Sequence, residues 1–289
     1  MPALNLRLYR FYFALRGRLA ASDKSRLPRF LQKAKRAVRV RMERFFLPKE
    51  RIAVRVRSGL SHGLWIFARL PEEAAYWQGQ REVTTEQTIL ATVREGAVVY
   101  DVGAHIGSIA LGMARLVGET GRVVAFDADP ENVASLREAC RLNQFGKRVE
   151  VVHSAVWSRS TNDGVPFRRG ATRRSHGGVA ADGYRPVCAD GEIVTVPSTT
   201  LDTFIAAGGF PPEFVKIDVE GGEYEVLRGG ENLFTRRRPR IIVEVHHADA
   251  LEKIGNWIEQ FRYAAEWRVP LQGFPRMLFA WPMESRPDL

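Results

Sequence analysis

The stretch 97–129, AVVYDVGAHIGSIALGMARLVGETGRVVAFDAD, constrains this chain most, because it reads as strand, glycine turn, helix and strand without a break. Val98, Val99, Tyr100 and Val102 form a short apolar run, the pattern of a strand covered by helices on both faces. The run passes into Asp101-Val102-Gly103-Ala104-His105-Ile106-Gly107, where two glycines let the backbone turn sharply and lie close against a ligand. Ile109, Met113, Leu116 and Val117 recur at helical spacing, and the chain returns through 121–127 as a second strand ending on Asp127. A carboxylate about twenty residues beyond such a turn can accept hydrogen bonds from both ribose hydroxyls, while the turn and helix N-terminus receive the ligand's anionic end. His105 stands where the dinucleotide fingerprint G-x-G-x-x-G has its middle glycine. The pattern D-x-G-x-x-x-G fits better and suits S-adenosylmethionine, which has no pyrophosphate to accommodate. Asp101, Gly103, Ala104, His105, Gly107, Asp127 and Ala128 are therefore the first candidate cofactor contacts.

A chain of 289 residues can hold one large α/β domain with an appendage. Its formal net charge of +10 is unevenly placed, because Arg and Lys crowd the region before Gly59 and leave the remainder mildly acidic. Residues 1–50 read as a basic arm of two amphipathic helices, one carrying Leu8, Phe11, Tyr12, Leu15 and Leu19, the other Leu31, Ala34, Val38, Met42 and Phe45. Such an arm packs on the main domain or a second copy, lies on an anionic membrane surface, or touches nucleic acid. Cys140 and Cys188 have no metal or framework spacing, which favours a reducing, cytoplasmic compartment, with the arm available to the inner membrane face. No run is long enough to span a bilayer, and Arg7, Arg10, Arg16 and Arg18 interrupt the apolar residues that a signal peptide would need.

The main domain is expected over 51–289. A small antiparallel pair is expected within 51–75, from the alternation in 51–57 and the run Leu64-Trp65-Ile66-Phe67. Glu82 lies just before a helix expected from about Thr85 to Val93, close enough in sequence to fold over the glycine turn. Asp129-Pro130 is a helix start, and the strand Val149-Glu150-Val151-Val152 runs into His153-Ser154-Ala155, which places Ser154 and Ala155 where adenine contacts fall. The polar, glycine-rich segment 158–196 reads as a substrate-facing insert or lid, with Arg168, Arg169, Arg173 and Arg174 as a basic cluster for an acidic substrate. Thr199-Thr200-Leu201-Asp202 begins a helix. The strands 214–217 and 240–245 each deliver polar side chains at their carboxyl ends, so Asp218, Glu220, Glu244 and His246 are expected to converge. Trp267 to Val269 and Met277 to Trp281 are the candidate closing strands.

With VVYDVGAHIG, VVAFDADPEN, the Thr200-Leu201-Asp202 element, FVKIDVEGGEYEVLRGG and IIVEVHH in order, the chain over about 76–280 resembles the FkbM-type family of S-adenosylmethionine-dependent methyltransferases. The resemblance implies a Rossmann-like class I methyltransferase fold, with a mostly parallel seven-stranded sheet and one antiparallel strand near its edge. It also implies O-methylation of hydroxyls on sugars, glycolipids or polyketide-type products. His105 stands where the family commonly has Asn, and Asp127 where it commonly has Glu.

Methyl transfer from a sulfonium is an in-line displacement, and an alcohol needs its proton removed before it can attack. Asp218, Glu220 or His246 is the expected general base, with Glu244 orienting it and Asp218 also bordering the cofactor. The same groups could instead hold a divalent metal that acidifies the hydroxyl, a choice the sequence leaves open. A nicotinamide oxidoreductase is disfavoured by the missing glycine. A nucleic-acid methyltransferase would use the basic arm, but no Asn/Asp-Pro-Pro-Tyr turn follows Ile217-Asp218 and no stacking aromatics cluster with the arginines. A membrane-surface or RNA-binding module is the remaining alternative. The expected partner is a small-molecule or glycan acceptor, with a homo-oligomer also open.

Overall fold

A computed structural model describes residues 50–80, 82–170, 177–180, 191–268 and 274–284. The basic arm over 1–49, Arg173, Arg174 and Cys188 lie outside the described residues, as does Val269 of the first closing strand.

The chain begins with a hairpin, β1 (Ile52–Arg55) against β2 (Trp65–Ala68), followed by α1 (Ala74–Gln78) and α2 (Val83–Thr92). The central unit is β3 (Val98–Val102), α3 (Ser108–Leu116), β4 (Arg122–Asp127), α4 (Pro130–Leu142) and β5 (Val149–His153). Next come β6 (Ala155–Val156), β7 (Thr161–Arg168), β8 (Gly178–Val179), β9 (Ile193–Thr199) and α5 (Leu201–Ala206). The chain closes with β10 (Phe214–Ile217), α6 (Glu223–Arg228), α7 (Glu231–Arg236), β11 (Arg240–Val245), α8 (Ala248–Gln260), β12 (Tyr263–Trp267) and β13 (Arg276–Pro282).

The main sheet has seven strands in the order β12-β13-β11-β10-β3-β4-β5, and β13 alone runs against its neighbours. Its central strands are buried on both faces, which explains their continuous apolar sequence. Successive residues alternate between two cores: Val99, Val123 and Ala125 pack with Ile89, Ile109 and Leu136 on one face. Tyr100, Val102, Val124, Val215, Ile217 and Val243 pack with Leu227, Phe234, Ile254 and Trp257 on the other.

The chain leaves β3 towards β4 and β5, then returns to β10 on the other side of β3. A crevice opens at such a reversal, outside the carboxyl ends of the strands. The hairpin is clamped beside that crevice. Asn143 of the α4 C-terminus pairs with the Trp65 backbone in both directions, at 2.9 and 2.7 Å. Arg51 reaches Glu73 at 2.7 Å, Asn132 at 2.8 Å and Ser135 at 3.1 Å.

One expectation gains detail and one changes. The described part of 158–196 joins Ala155–Val156 in a four-stranded sheet, β6-β9-β7-β8, in which Val165, Phe167 and Val196 bury their side chains with Ala155, so the insert is a built layer. The first closing strand is Tyr263–Trp267, because Tyr263 is buried against Trp257 and pairs with Pro282. Among the described residues, no helix is long and apolar enough to cross a membrane. Cys140 is buried.

Candidate active site

The crevice is a cavity of about 670 Å³. Its near wall is the turn Gly103-Ala104-His105 with Ser108 and Ile109 of α3. Gly103 has φ +83°, and a Cβ there would run into the carbonyl of Asp218, so only glycine lets β3 and β10 end this close together. His105 has φ +51°, in the left-handed region that Asn and His enter more readily than most side chains. The backbone of the turn is therefore compatible with His at that position.

Asp127 stands at the tip of β4, buried, with its carboxylate held from three sides. Oδ2 accepts from the His105 N–H at 2.7 Å, and Oδ1 accepts from the Asp129 N–H at 2.8 Å and the Asn132 amide at 3.0 Å. Burial raises its pKa to about 6 against the pull of those three bonds. Ala128, Ser154, Ala155, Phe167 and Val179 continue the wall. Tyr76 of α1 covers His105, with ring centroids 5.0 Å apart, and Glu73 lies 3.8 Å from its Nε2.

Polar groups crowd the other end. Asp101 and Lys216 are cross-strand neighbours in the parallel register of β3 and β10, and both face what is otherwise an apolar layer. Lys216 is 3 % exposed and Asp101 is fully buried, with Lys216 Nζ 3.2 Å from Asp101, 3.4 Å from Asp218 and 4.0 Å from Glu82. Burial opposes the charge on Lys216, but the carboxylates of Asp101, Asp218, Glu82 and Glu244 outweigh it and hold the ammonium well above its usual pKa. Glu82 is pushed up to about 8, chiefly by burial, with Lys216 pulling the other way.

Beyond Asp218 the chain turns through Glu220, whose φ is +57°, and returns in α6, whose first residue Glu223 is fully buried. His246 Nδ1 lies 2.8 Å from Glu223 Oε1. Its Nε2 faces Glu220 at 3.4 Å, Asp218 at 3.7 Å and Glu244 at 3.8 Å. Burial disfavours the imidazolium, yet the bond to Glu223 and the charges of Asp218, Glu223 and Glu220 push its pKa to about 10. Glu244 is raised to about 7, mainly by burial and then by Asp218.

The structure thus gathers Asp218, Glu220, Glu244 and His246 at one point, as expected. Glu82, Gly103, Ala104, His105, Asp127, Ala128, Ser154, Ala155, Asp218 and Glu220 all line the cavity. Asp101 and Gly107 do not. The Asp101 side chain sits under the sheet end and holds Lys216, while Gly107 caps α3 in a left-handed turn pressed against Leu136, so its role is packing. Glu244 and His246 do not line the cavity. Sequence reading missed Lys216, although a lone lysine inside the apolar strand Phe214–Ile217 is itself a signal. Of the basic cluster, Arg169 reaches the cavity and pairs with Asp129 at 3.2 Å and Glu131 at 3.1 Å, whereas Arg168 lies 3.3 Å from the Gly191 carbonyl.

The methyltransferase FkbM domain model matches residues 101–268, which takes in the turn, Asp127, the polar cluster and β12. The chain belongs to the FkbM methyltransferase family. Its fold is α/β, built on a mostly parallel seven-stranded sheet. A hexuronic acid methyltransferase, AglP, from Haloferax volcanii is 28% identical over 171 residues, covering 57% of this chain and 64% of that protein. The chain therefore spans less than two thirds of that relative. The 31-O-demethyl-FK506 methyltransferase FkbM from Streptomyces tacrolimicus is 29% identical over 195 residues, covering 58% of this chain and 74% of the relative. A crystal structure of an FkbM methyltransferase from Methylobacillus flagellatus aligns with a TM-score of 0.48 at 17% identity, covering 72% of this chain and 53% of that one.

Proposed function

We propose that this FkbM-family enzyme methylates a hydroxyl of a sugar, glycolipid or natural-product acceptor. The observation that carries the reading is the layout of a single cavity, with a buried ribose-type acid, Asp127, at one end and the carboxylates Asp218 and Glu220 at the other. In this reading the cofactor ribose meets Asp127, adenine lies against Ser154, Ala155 and Phe167, and the methionine end reaches the Gly103-Ala104-His105 turn beside Glu82. The sulfonium methyl then points towards Asp218 and Glu220. One relative is named for a hexuronic acid and another for 31-O-demethyl-FK506, which supports an oxygen acceptor.

The acceptor hydroxyl attacks the methyl carbon from behind the sulfur, its proton passes to a carboxylate, and the C–S bond electrons return to sulfur. Asp218 or Glu220 is the base by position, since both line the cavity while His246 and Glu244 do not. His246 and Glu244 orient the two acids. The Asp218→Asn enzyme should bind S-adenosylmethionine with little change by calorimetry yet lose methyl transfer by a factor on the order of 10² to 10⁴, the usual contribution of a general base. Full turnover of an acceptor by that variant would remove Asp218 from the mechanism.

A further inference from the structure

We propose that residues 1–49 and the outer face of the β1–β2 hairpin form a contact surface for an anionic lipid bilayer, independently of the methyl-transfer reading. The arm lies outside the described residues, and its part is read from its sequence. It holds 14 Lys and Arg against two Asp and Glu, whereas the remaining 240 residues hold 29 against 31. The positive charge of the whole chain therefore comes from this arm. One apolar stripe at helical spacing runs from Leu8 through Phe11 and Leu15 to Leu19, and a second runs from Leu31 to Phe45. A basic helix with such a stripe lies in the headgroup layer, its apolar face against the acyl chains and its cations among lipid phosphates. Neither stripe is long enough to span a bilayer, so the contact is made at the surface. An arm that bound only a polyanion such as RNA would need the charge but not two faces of large apolar side chains.

The described residues next to the arm carry the same chemistry. Val54 and Val56 are buried, and strand alternation turns Arg55 and Arg57 outwards, where both are exposed. The Arg55 guanidinium lies 4.9 Å from the ring centre of the partly exposed Trp65, and that of Arg57 lies 4.8 Å from the ring centre of Trp77. Arginine and tryptophan are side chains that settle where headgroups meet acyl chains, each with an apolar body and a polar end.

The two parts of the surface are continuous along the chain. The arm ends at Lys49, and two residues further on Arg51 is fixed to Glu73, Asn132 and Ser135 and lines the cavity. Two residues reach no more than about 7 Å, so an arm lying on a bilayer holds the hairpin and the cavity rim close to the headgroups.

The test is sedimentation of the full chain with vesicles of phosphatidylcholine alone and with vesicles that contain about one third phosphatidylglycerol, at low and high salt. Wild type should bind the anionic vesicles at least about tenfold more strongly than the neutral ones, and added salt should weaken the contact. The combined variant Arg7→Gln, Arg10→Gln, Arg16→Gln and Arg18→Gln should lower binding at least about tenfold, and Phe11→Ser with Leu15→Ser at least about fivefold. Arg55→Gln with Arg57→Gln should lower it by roughly two- to threefold, with the urea midpoint of each variant compared with wild type to confirm folding. No preference for the anionic vesicles, or equal sedimentation of wild type and both arm variants, would overturn the bilayer contact. A loss confined to the arginine variant, together with retention of wild type on an RNA oligonucleotide, would overturn it in favour of a nucleic acid. An unaffected Arg55→Gln, Arg57→Gln variant would remove the hairpin from the surface. None of these outcomes touches the transferase reading, which cofactor titration tests separately.

Discussion

Asp127 combines two demands that pull in opposite directions. In the proposed reading its carboxyl must be ionised to accept from ribose, yet burial raises its pKa from 3.8 to about 6. Below 3.8 the group is protonated in folded and unfolded chains alike. Between 3.8 and about 6 only the unfolded chain releases the proton, so this residue's contribution to stability falls as pH rises through that window and stays at its lower value above it. Cofactor affinity should run the other way. Calorimetric titrations of S-adenosylmethionine should show weakening as pH drops below about 6, and a flat affinity from pH 5 to 8 would separate Asp127 from the ligand.

Lys216 makes a different bargain with burial. Removing it takes the shared ammonium from Asp101, Asp218 and Glu82 together, so Lys216→Met should cost about 3 to 5 kcal/mol in chemical denaturation, with Asp101 taking up a proton. The double variant Asp101→Asn with Lys216→Met should recover part of that loss, which a double-mutant cycle would show. Asp101 also illustrates a limit on reading the sequence. It stands in the right motif, but only the register with β10 shows that its side chain turns under the sheet towards Lys216 and not into the cavity.

The elements that follow local rules were legible in advance. Asp129 caps α4 by accepting from the Glu131 N–H, with Pro130 at the first helical position. Thr200 caps α5 by accepting from the Thr203 N–H at 2.8 Å, and Asp202 holds the start of α7 through the Asn232 and Leu233 N–H groups at 2.8 and 2.9 Å. Thr200→Ala should cost about 1 kcal/mol, read as a shift in the urea midpoint. The insert sheet was not legible, because Pro166 and Pro197 interrupt its strands and a register shift falls between Thr161 and Val165. That pattern reads as loop when only the alternation of Val165, Phe167, Val194 and Val196 argues for strand. The hairpin was legible from its alternation, but its place on α4 follows from Asn143, a contact far away in sequence.

At the scale of the molecule, parallel strands converge two kinds of site on one crevice. In the proposed reading, the β3–β4 side supplies the nucleoside end through the glycine turn and Asp127, and the β10–β11 side supplies the acids. Residues beside the hairpin and residues of the insert line the same cavity, and Arg69 and Arg169 both pair with Glu131 at 3.1 Å. Neither side is a site alone. The reversal of strand order between β3 and β10 brings them together, and Gly103 allows the contact.

The most direct measurement of this arrangement is an isothermal titration of S-adenosylmethionine into the wild-type chain and its Asp127→Ala variant at pH 7.5. Saturable one-to-one binding is expected, weaker in the variant by about 1 to 3 kcal/mol through loss of bonds to a charged acceptor. Equal affinity in the two proteins would contradict the placement of the cofactor between Gly103 and Asp127.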